Sequence, residues 1–274
     1  GASLSSFSAN ALDNCTAFAG DNPNNSNILG IWQDVVRQDG QDVALLVPVS
    51  VVDKNDENFI TADLTTVHHI YKNAFKNCTT LETITYGGTL TEIGKNAFAG
   101  CSKALTVVTI PTNKDELETE FGQGVFSGCS KLETVTFGDT VKIIPGVEWV
   151  SGAMSYNSDR YNDSFGTIGA ENGFFYNCTS LKTINWGKGI KTIGNIAFRN
   201  CSALESVAIP DTVTSIGDSA FAKCSGLSGD LTLPQGLKTI GSGAFQNCRK
   251  IATVSYGGSI EEYASISFGN SYSD

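Results

Sequence analysis

The sequence predicts a repeat solenoid, β-rich with short helical turns, wound into about seven coils of 23 residues. Two observations predict it. The phrase Ile-Gly-x-x-Ala-Phe-x-x-Cys-Ser-x-Leu recurs in seven copies, and each copy runs on into an alternating, β-branched segment that ends at a turn residue. Self-similarity at such a period marks stacked supersecondary units, because one unit cannot bury its apolar side alone.

The clearest copies are 193–204 (IGNIAFRNCSAL) and 216–227 (IGDSAFAKCSGL). The others are IYKNAFKNCTTL from Ile70, IGKNAFAGCSKAL from Ile93, GQGVFSGCSKL from Gly122, ENGFFYNCTSL from Glu171 and IGSGAFQNCRKI from Ile240. The repeat cysteines, Cys78, Cys101, Cys129, Cys178, Cys201, Cys224 and Cys248, are separated by 23, 28, 49, 23, 23 and 24 residues. The two long intervals locate insertions, a short one near 112–120 and a long one at 145–172.

Within a coil, the segment after the Leu alternates with period two, as in Leu132-Glu133-Thr134-Val135-Thr136-Phe137, which predicts a half-buried strand. A second short strand follows, as in Val213-Thr214-Ser215-Ile216, and then the Ala-Phe-x-x-Cys turn. Phe75, Phe98, Phe126, Phe175, Phe198, Phe221 and Phe245 are expected to form one buried ladder and the seven cysteines another. The Gly of Ile-Gly is expected to serve a corner that needs positive φ.

A stack needs covered ends, so residues 1–66 read as an N-terminal cap, 67–258 as the solenoid and 259–274 as a C-terminal cap or tail. A small separate domain at 1–66 is the other reading. Residues 28–36 (ILGIWQDVV) have the pattern of a short amphipathic helix and 43–52 that of a strand.

At the repeat phrase the sequence resembles the BspA-like family of bacterial leucine-rich repeats, over roughly residues 64–263. The resemblance implies a curved, right-handed leucine-rich-repeat superhelix, secretion or display at the cell surface, and adhesion to host proteins or other cells. The 49-residue interval, the Asn185-Trp186-Gly187 strand ending and residues 1–63 depart from the family pattern.

Composition narrows the function. Hydrophobic residues make up 41% and charged residues 17%, an ordered chain with many turns. The net charge of −10, of which −7 lies in residues 1–66, argues against a phosphate backbone as partner. No apolar run is long enough to span a bilayer. The chain begins Gly-Ala-Ser, so nothing follows about a leader or anchor.

Chemistry-bearing constellations are sparse. Seven cysteines at one equivalent position per coil read as buried free thiols, with Cys15 outside the register. No Cys-x-x-Cys pair exists and the two histidines, His68 and His69, are adjacent, so no metal or cofactor is expected. The acidic run 53–58 opens like a calcium loop but carries Asn58 where Gly is needed and Leu64 where Glu is needed. No nucleophile-base pair is recognisable, so no catalytic residue is assigned.

Binding is the better prospect. Outward pairs along the first strands are expected at Thr83/Thr85, Val107/Thr109, Thr134/Thr136, Thr183/Asn185, Ser206/Ala208, Asp230/Thr232 and Thr253/Ser255, a hydroxyl-rich and nearly uncharged face. Strand propensity alone would also place Thr there. The long insertion sets Trp149, Tyr156, Arg160, Tyr161 and Phe165 among Gly, Ser and Asn, the make-up of a paratope, although packing onto the solenoid would use the same aromatics. The expected function is a non-enzymatic module that binds an extracellular protein or glycan. A structural spacer and a glycan-processing enzyme are the alternatives.

Overall fold

The computed structural model describes residues 28–33, 47–53, 60–64, 69–70, 73–87, 90, 92–110, 120–146 and 173–269. Before the repeats, β1 (Ile28–Gln33) and β2 (Val47–Asp53) form an antiparallel pair. This corrects the helix expected at 28–36. The run ILGIW is β-branched and aromatic and holds Gly30, which weakens a helix, and the apolar β2 segment supplies a partner.

From Thr61 the chain winds into a parallel β-solenoid of about seven turns. First strands of successive coils are β3 (Thr61–Leu64), β5 (Thr83–Tyr86), β7 (Val107–Ile110), β9 (Thr134–Phe137), β11 (Thr183–Asn185), β14 (Ser228–Leu233) and β16 (Lys250–Tyr256). Residues 205–209 take the sixth place, with Ile209 buried. Second strands are β4 (His69–Ile70), β6 (Glu92–Ile93), β8 (Glu120–Phe121), β10 (Ile143–Ile144), β12 (Thr192–Ile193), β13 (Ser215–Ile216), β15 (Thr239–Ile240) and β17 (Ser267–Phe268). A short helix, α1 (Ile260–Ala264), lies between β16 and β17 and is opened by a capping box of Ser259 and Glu262.

Within three ladders, β3-β5, β7-β9-β11 and β14-β16, first strands pair with the equivalent strand of the neighbouring coil, Val108 on Val135 and Val135 on Ile184. Alternation therefore stacks like on like, and β7 reads exposed-buried-exposed-buried along its length.

The core is a set of ladders running the length of the stack. The seven phenylalanines stack face to face, with ring centroids 4.9 to 5.5 Å apart and planes within 10°. Burying one such ring contributes about 1.5–3 kcal/mol before any ring–ring term. Beside them, all seven repeat cysteines are buried thiols outside any disulfide.

The Ala-Phe-x-x-Cys segments are turns with alternating handedness instead of continuous helix. In the second coil the Ala97 N–H donates to Gly94 O at 3.2 Å and the Cys101 N–H to Phe98 O at 3.3 Å. The third residue of each turn is left-handed, Asn96 at φ 55 and Gly100 at φ 74, as type II turns require. Asn or Gly fills most of these places, which is why the repeat is rich in both.

The glycine of Ile-Gly has a different reason from the one expected. Gly122, Gly194, Gly217 and Gly241 do not have positive φ. A Cβ on Gly217 would instead lie 2.5 Å from Asn195 N and 2.7 Å from Gly194 C, and one on Gly241 2.3 Å from Asp218 N. The Gly N–H also donates to the preceding coil, Gly217 to Ile193 O at 2.8 Å. Glycine is there because two backbones touch.

Two coils depart from this rule. Tyr71 follows Ile70 in the first, and Pro145 stands directly after Ile144 where five other copies of the phrase have that glycine. Proline has no N–H to donate to Phe121 O and carries a ring where no Cβ fits. The second sheet accordingly divides into β4-β6-β8 and β10-β12-β13-β15-β17. Phe174 replaces the small residue used elsewhere, such as Ala97 or Ala220, and its buried ring packs edge-on against Phe121 at 5.4 Å. The turn ladder remains closed across the split, with Phe126 N–H donating to Phe174 O at 2.9 Å.

Candidate functional site

The first sheet presents the outward rows that the alternation predicts. Thr83, Thr85, Val107, Thr109, Thr183, Asn185, Ser206, Ala208, Asp230, Thr232, Thr253 and Ser255 are exposed, and Thr134 and Thr136 are partly so. The pairing aligns Val107, Thr134 and Thr183 in one row and Thr109, Thr136 and Asn185 in the next. Asp230 is the one acidic side chain among these fourteen positions, and none is basic.

Part of this face is tied laterally. Asn185 Nδ2 donates to Thr136 Oγ1 at 3.0 Å, Thr232 and Ser255 hydroxyls share a bond of 3.1 Å, and Thr253 donates to Asp230. The hydroxyls of Thr83, Thr85, Thr109, Thr134 and Thr183 have no side-chain partner among the described residues. Each can still donate one bond and accept two.

Two exposed ion pairs edge the face between the fourth and fifth coils, Lys182 with Glu133 and Lys188 with Asp139, each at 3.1 Å. The Lys188 backbone N–H, and then its side chain, hold the Asp139 carboxyl below its ordinary value. Pairs this exposed fix side-chain direction more than they stabilise.

The long insertion is attached elsewhere. It leaves after β10 of the second sheet and returns at Gly173, at the start of the turn that carries Phe174. Its ends are therefore not on the first sheet. Trp149, Tyr156, Arg160, Tyr161 and Phe165 lie outside the described residues, as do Cys15 and residues 54–58 of the acidic run. Sequence reasoning missed that the insertion grows from the split in the second sheet. The signals were present in Ile144-Pro145-Gly146, where Ile-Gly is usual, and in Phe174, where Ala is usual.

The cysteine ladder is bonded as well as packed. Cys101, Cys129, Cys178, Cys201, Cys224 and Cys248 each donate their thiol to the carbonyl of the preceding coil's ladder phenylalanine, at 3.1 to 3.3 Å. Burial raises the thiols of Cys129, Cys178 and Cys201 above their ordinary value and pushes Cys248 up to about 12. Such thiols stay protonated, which suits structure and not nucleophilic chemistry.

Among the described residues no group of three or more His, Cys, Asp and Glu side chains could hold a metal ion. No helix of these residues is long and apolar enough to cross a membrane.

Several solved structures are similar to this chain. A leucine-rich repeat protein of T. pallidum is 22% identical, with 77% of this chain and 73% of that one covered and a TM-score of 0.46. A leucine rich cell surface protein from Faecalibacterium prausnitzii A2-165 is 20% identical over 86% of this chain and 89% of that one, with a TM-score of 0.36. The pneumococcal vaccine antigen PcpA is 22% identical over 72% of this chain and 51% of its own, with a TM-score of 0.40. No curated protein matches the chain. The model of the BspA type leucine rich repeat region matches residues 54–149 and 152–273, in 6 copies. With that span of sequence carrying the repeat phrase and its ladders, the chain belongs to the BspA-type leucine-rich repeat family.

Proposed function

We propose that this chain is a non-enzymatic recognition module, displayed on a cell surface or secreted, that adheres to an extracellular protein or glycan of a host or a neighbouring cell. The observation that carries the reading is the outward face of the first strands, where Thr134, Thr136, Thr183 and Asn185 repeat in register, Thr83 and Thr85 are exposed on β5, and charge is almost absent. A surface of aligned hydroxyls with unused donors and acceptors suits a partner that is itself repetitive and polar. Display outside the cell is what membership of the family implies.

Residues 1–66, apart from β3, which belongs to the first coil, and residues 259–274, apart from β17, serve in this reading as the pieces that end the stack. The 145–172 insertion, with Trp149, Tyr156, Arg160 and Tyr161, supplies a second contact in this reading. No cofactor enters the reading.

The test is an array of extracellular-matrix proteins and glycans probed with the intact chain and with one whose residues 146–169 are replaced by a short linker. Binding by both assigns recognition to the face, and binding lost with the insertion assigns it to that segment. Silence from both would count against recognition and for a spacer.

A further inference from the structure

The lysines of the two sheets are used differently. Beside the first strands, Lys182 and Lys188 are paired with Glu133 and Asp139. Beside the second strands, Lys142, Lys191, Thr214 and Lys238 form one column. Lys191 N–H donates to Lys142 O at 2.7 Å, Thr214 N–H to Lys191 O at 2.9 Å and Lys238 N–H to Thr214 O at 2.8 Å. All three lysines are exposed, and Lys191 and Lys238 make no ion pair among the described residues.

The next outward column is Ile143, Thr192, Ser215 and Thr239, aligned by the pairing of β10, β12, β13 and β15. Thr239 Oγ1 donates to Ser215 Oγ at 2.7 Å, which leaves the Ser215 proton available. The two columns together carry ammonium groups and hydroxyls and no carboxylate. Before the break in the second sheet the pattern differs, since β6 and β8 pair Glu92 with Glu120. Of the acids beside the strip, Asp139 is held by Lys188, Asp218 accepts from Ser242 N–H at 2.6 Å, and Glu262 lies 3.5 Å from Gln235 Nε2. Asp211 stands at the turn before Thr214. Neighbouring strands lie about 4.8 Å apart, so the lysines recur after one coil step and then after two, at about 4.8 and 9.6 Å. Like charges so stacked repel one another, and an acidic chain laid along them removes the repulsion.

We propose that this strip binds an acidic polysaccharide, laid along the solenoid axis with its carboxylate or sulfate groups on Lys142, Lys191 and Lys238 and its hydroxyls on Thr192, Ser215 and Thr239. A nucleic acid fits less well. A duplex carries one charge per about 1.7 Å, far denser than the column, and the strip offers no aromatic ring or guanidinium on which a base could stack. A polysaccharide with an acid group on each sugar or on every second one is charged as sparsely as the column. The site is separate from the outward face of the first strands and does not depend on the function proposed for that face.

The test is fluorescence anisotropy of end-labelled chains titrated with the whole protein at low ionic strength, using heparin as the sulfated chain, polygalacturonate as the carboxylated one and dextran as the neutral one. At least one acidic chain is expected to bind, more weakly as salt is raised, with dextran inert, and a preference between the two identifies the acid group. Lys191→Gln with Lys238→Gln is expected to raise the Kd at least about tenfold with an unchanged circular dichroism spectrum, since both side chains are exposed. Lys103→Gln with Lys131→Gln removes the same charge from exposed positions elsewhere and should change the Kd less than about twofold. Thr134→Ala with Thr136→Ala and Thr183→Ala should leave it unchanged, which separates this site from the first-strand face. Failure of both acidic chains to bind overturns the proposal. So does an equal loss from the two lysine pairs, a loss from the threonine variant, or a single-stranded DNA held as tightly as heparin.

Discussion

Gly217→Ala tests why the repeat needs its corner glycine. The added Cβ would sit 2.5 Å from Asn195 N, 2.5 Å from Asn195 Oδ1 and 2.7 Å from Gly194 C. Two of those atoms are backbone of the adjoining coil, so the coils must part by several tenths of an ångström or more. Overpacking of this kind costs about 1–3 kcal/mol. Parting also stretches the bond from Gly217 N–H to Ile193 O, now 2.8 Å, at about 1 kcal/mol. The expected loss is therefore about 2–4 kcal/mol. Two other glycines calibrate it. Gly236 meets nothing nearer than Asp211 O at 3.1 Å, and Gly229 has open space but φ +73. Gly236→Ala should cost well under 1 kcal/mol, and Gly229→Ala about 1, from backbone strain alone. The assay is urea unfolding followed by circular dichroism, with hydrogen exchange at the fifth and sixth coils to keep the readout local, because repeat stacks need not unfold in one step. If Gly217→Ala destabilises no more than Gly229→Ala, backbone contact between coils is not the reason for the glycine.

Three further outcomes follow from the core. The ladder thiols should be silent to an aromatic disulfide reagent in the folded chain and should react together on unfolding, a count that thiol titration reads directly. The raised folded values of Cys129, Cys178, Cys201 and Cys248 also set a pH dependence. The unfolded chain begins to lose thiol protons near 9.0 while the folded one holds them, to about 12 for Cys248, so stability is complete below 9.0 and declines as pH rises through that window. A melting temperature that is flat from neutral into alkaline pH would contradict this. Phe174→Ala should cost about 3–5 kcal/mol although six other coils carry a small residue or Val there, because this coil stands at the break in the sheet of second strands. Thermal unfolding of that variant at wild-type temperature would show the split to be closed by something else.

Most of the stack was legible because register copies a residue's environment from coil to coil. Once Phe98 and Cys101 recur at a fixed interval, the ladders follow, and Val107–Ile110 declares its inward side by alternation. The thiol bonds were not legible. Cys201 donates to Phe175 O, a backbone atom 26 residues away whose position depends on how far one coil is offset along the next. The corner glycine was legible as a requirement but not as to cause, since positive φ and backbone contact both select Gly. Left-handed φ falls instead on residues such as Asn77, Asn96 and Asn200. The 28–33 segment was misread because a run of six residues carries too few periods to separate strand from helix, and its partner at 47–53 is non-local. For the candidate face, the sequence placed each exposed threonine. What it could not place was the insertion, which springs from the second sheet beside Pro145.

The central claim is that the aligned face of the first sheet is a binding surface. The direct measurement is the equilibrium affinity of the ligand that the array returns, for the intact chain and for one carrying Thr134→Glu, Thr136→Glu and Thr183→Glu. These neighbouring side chains are exposed or partly so, and the change leaves the buried ladders untouched. A loss of affinity of at least about tenfold, or ~1.4 kcal/mol, is expected, with unfolding unchanged. Unaltered affinity in a folded variant would contradict it.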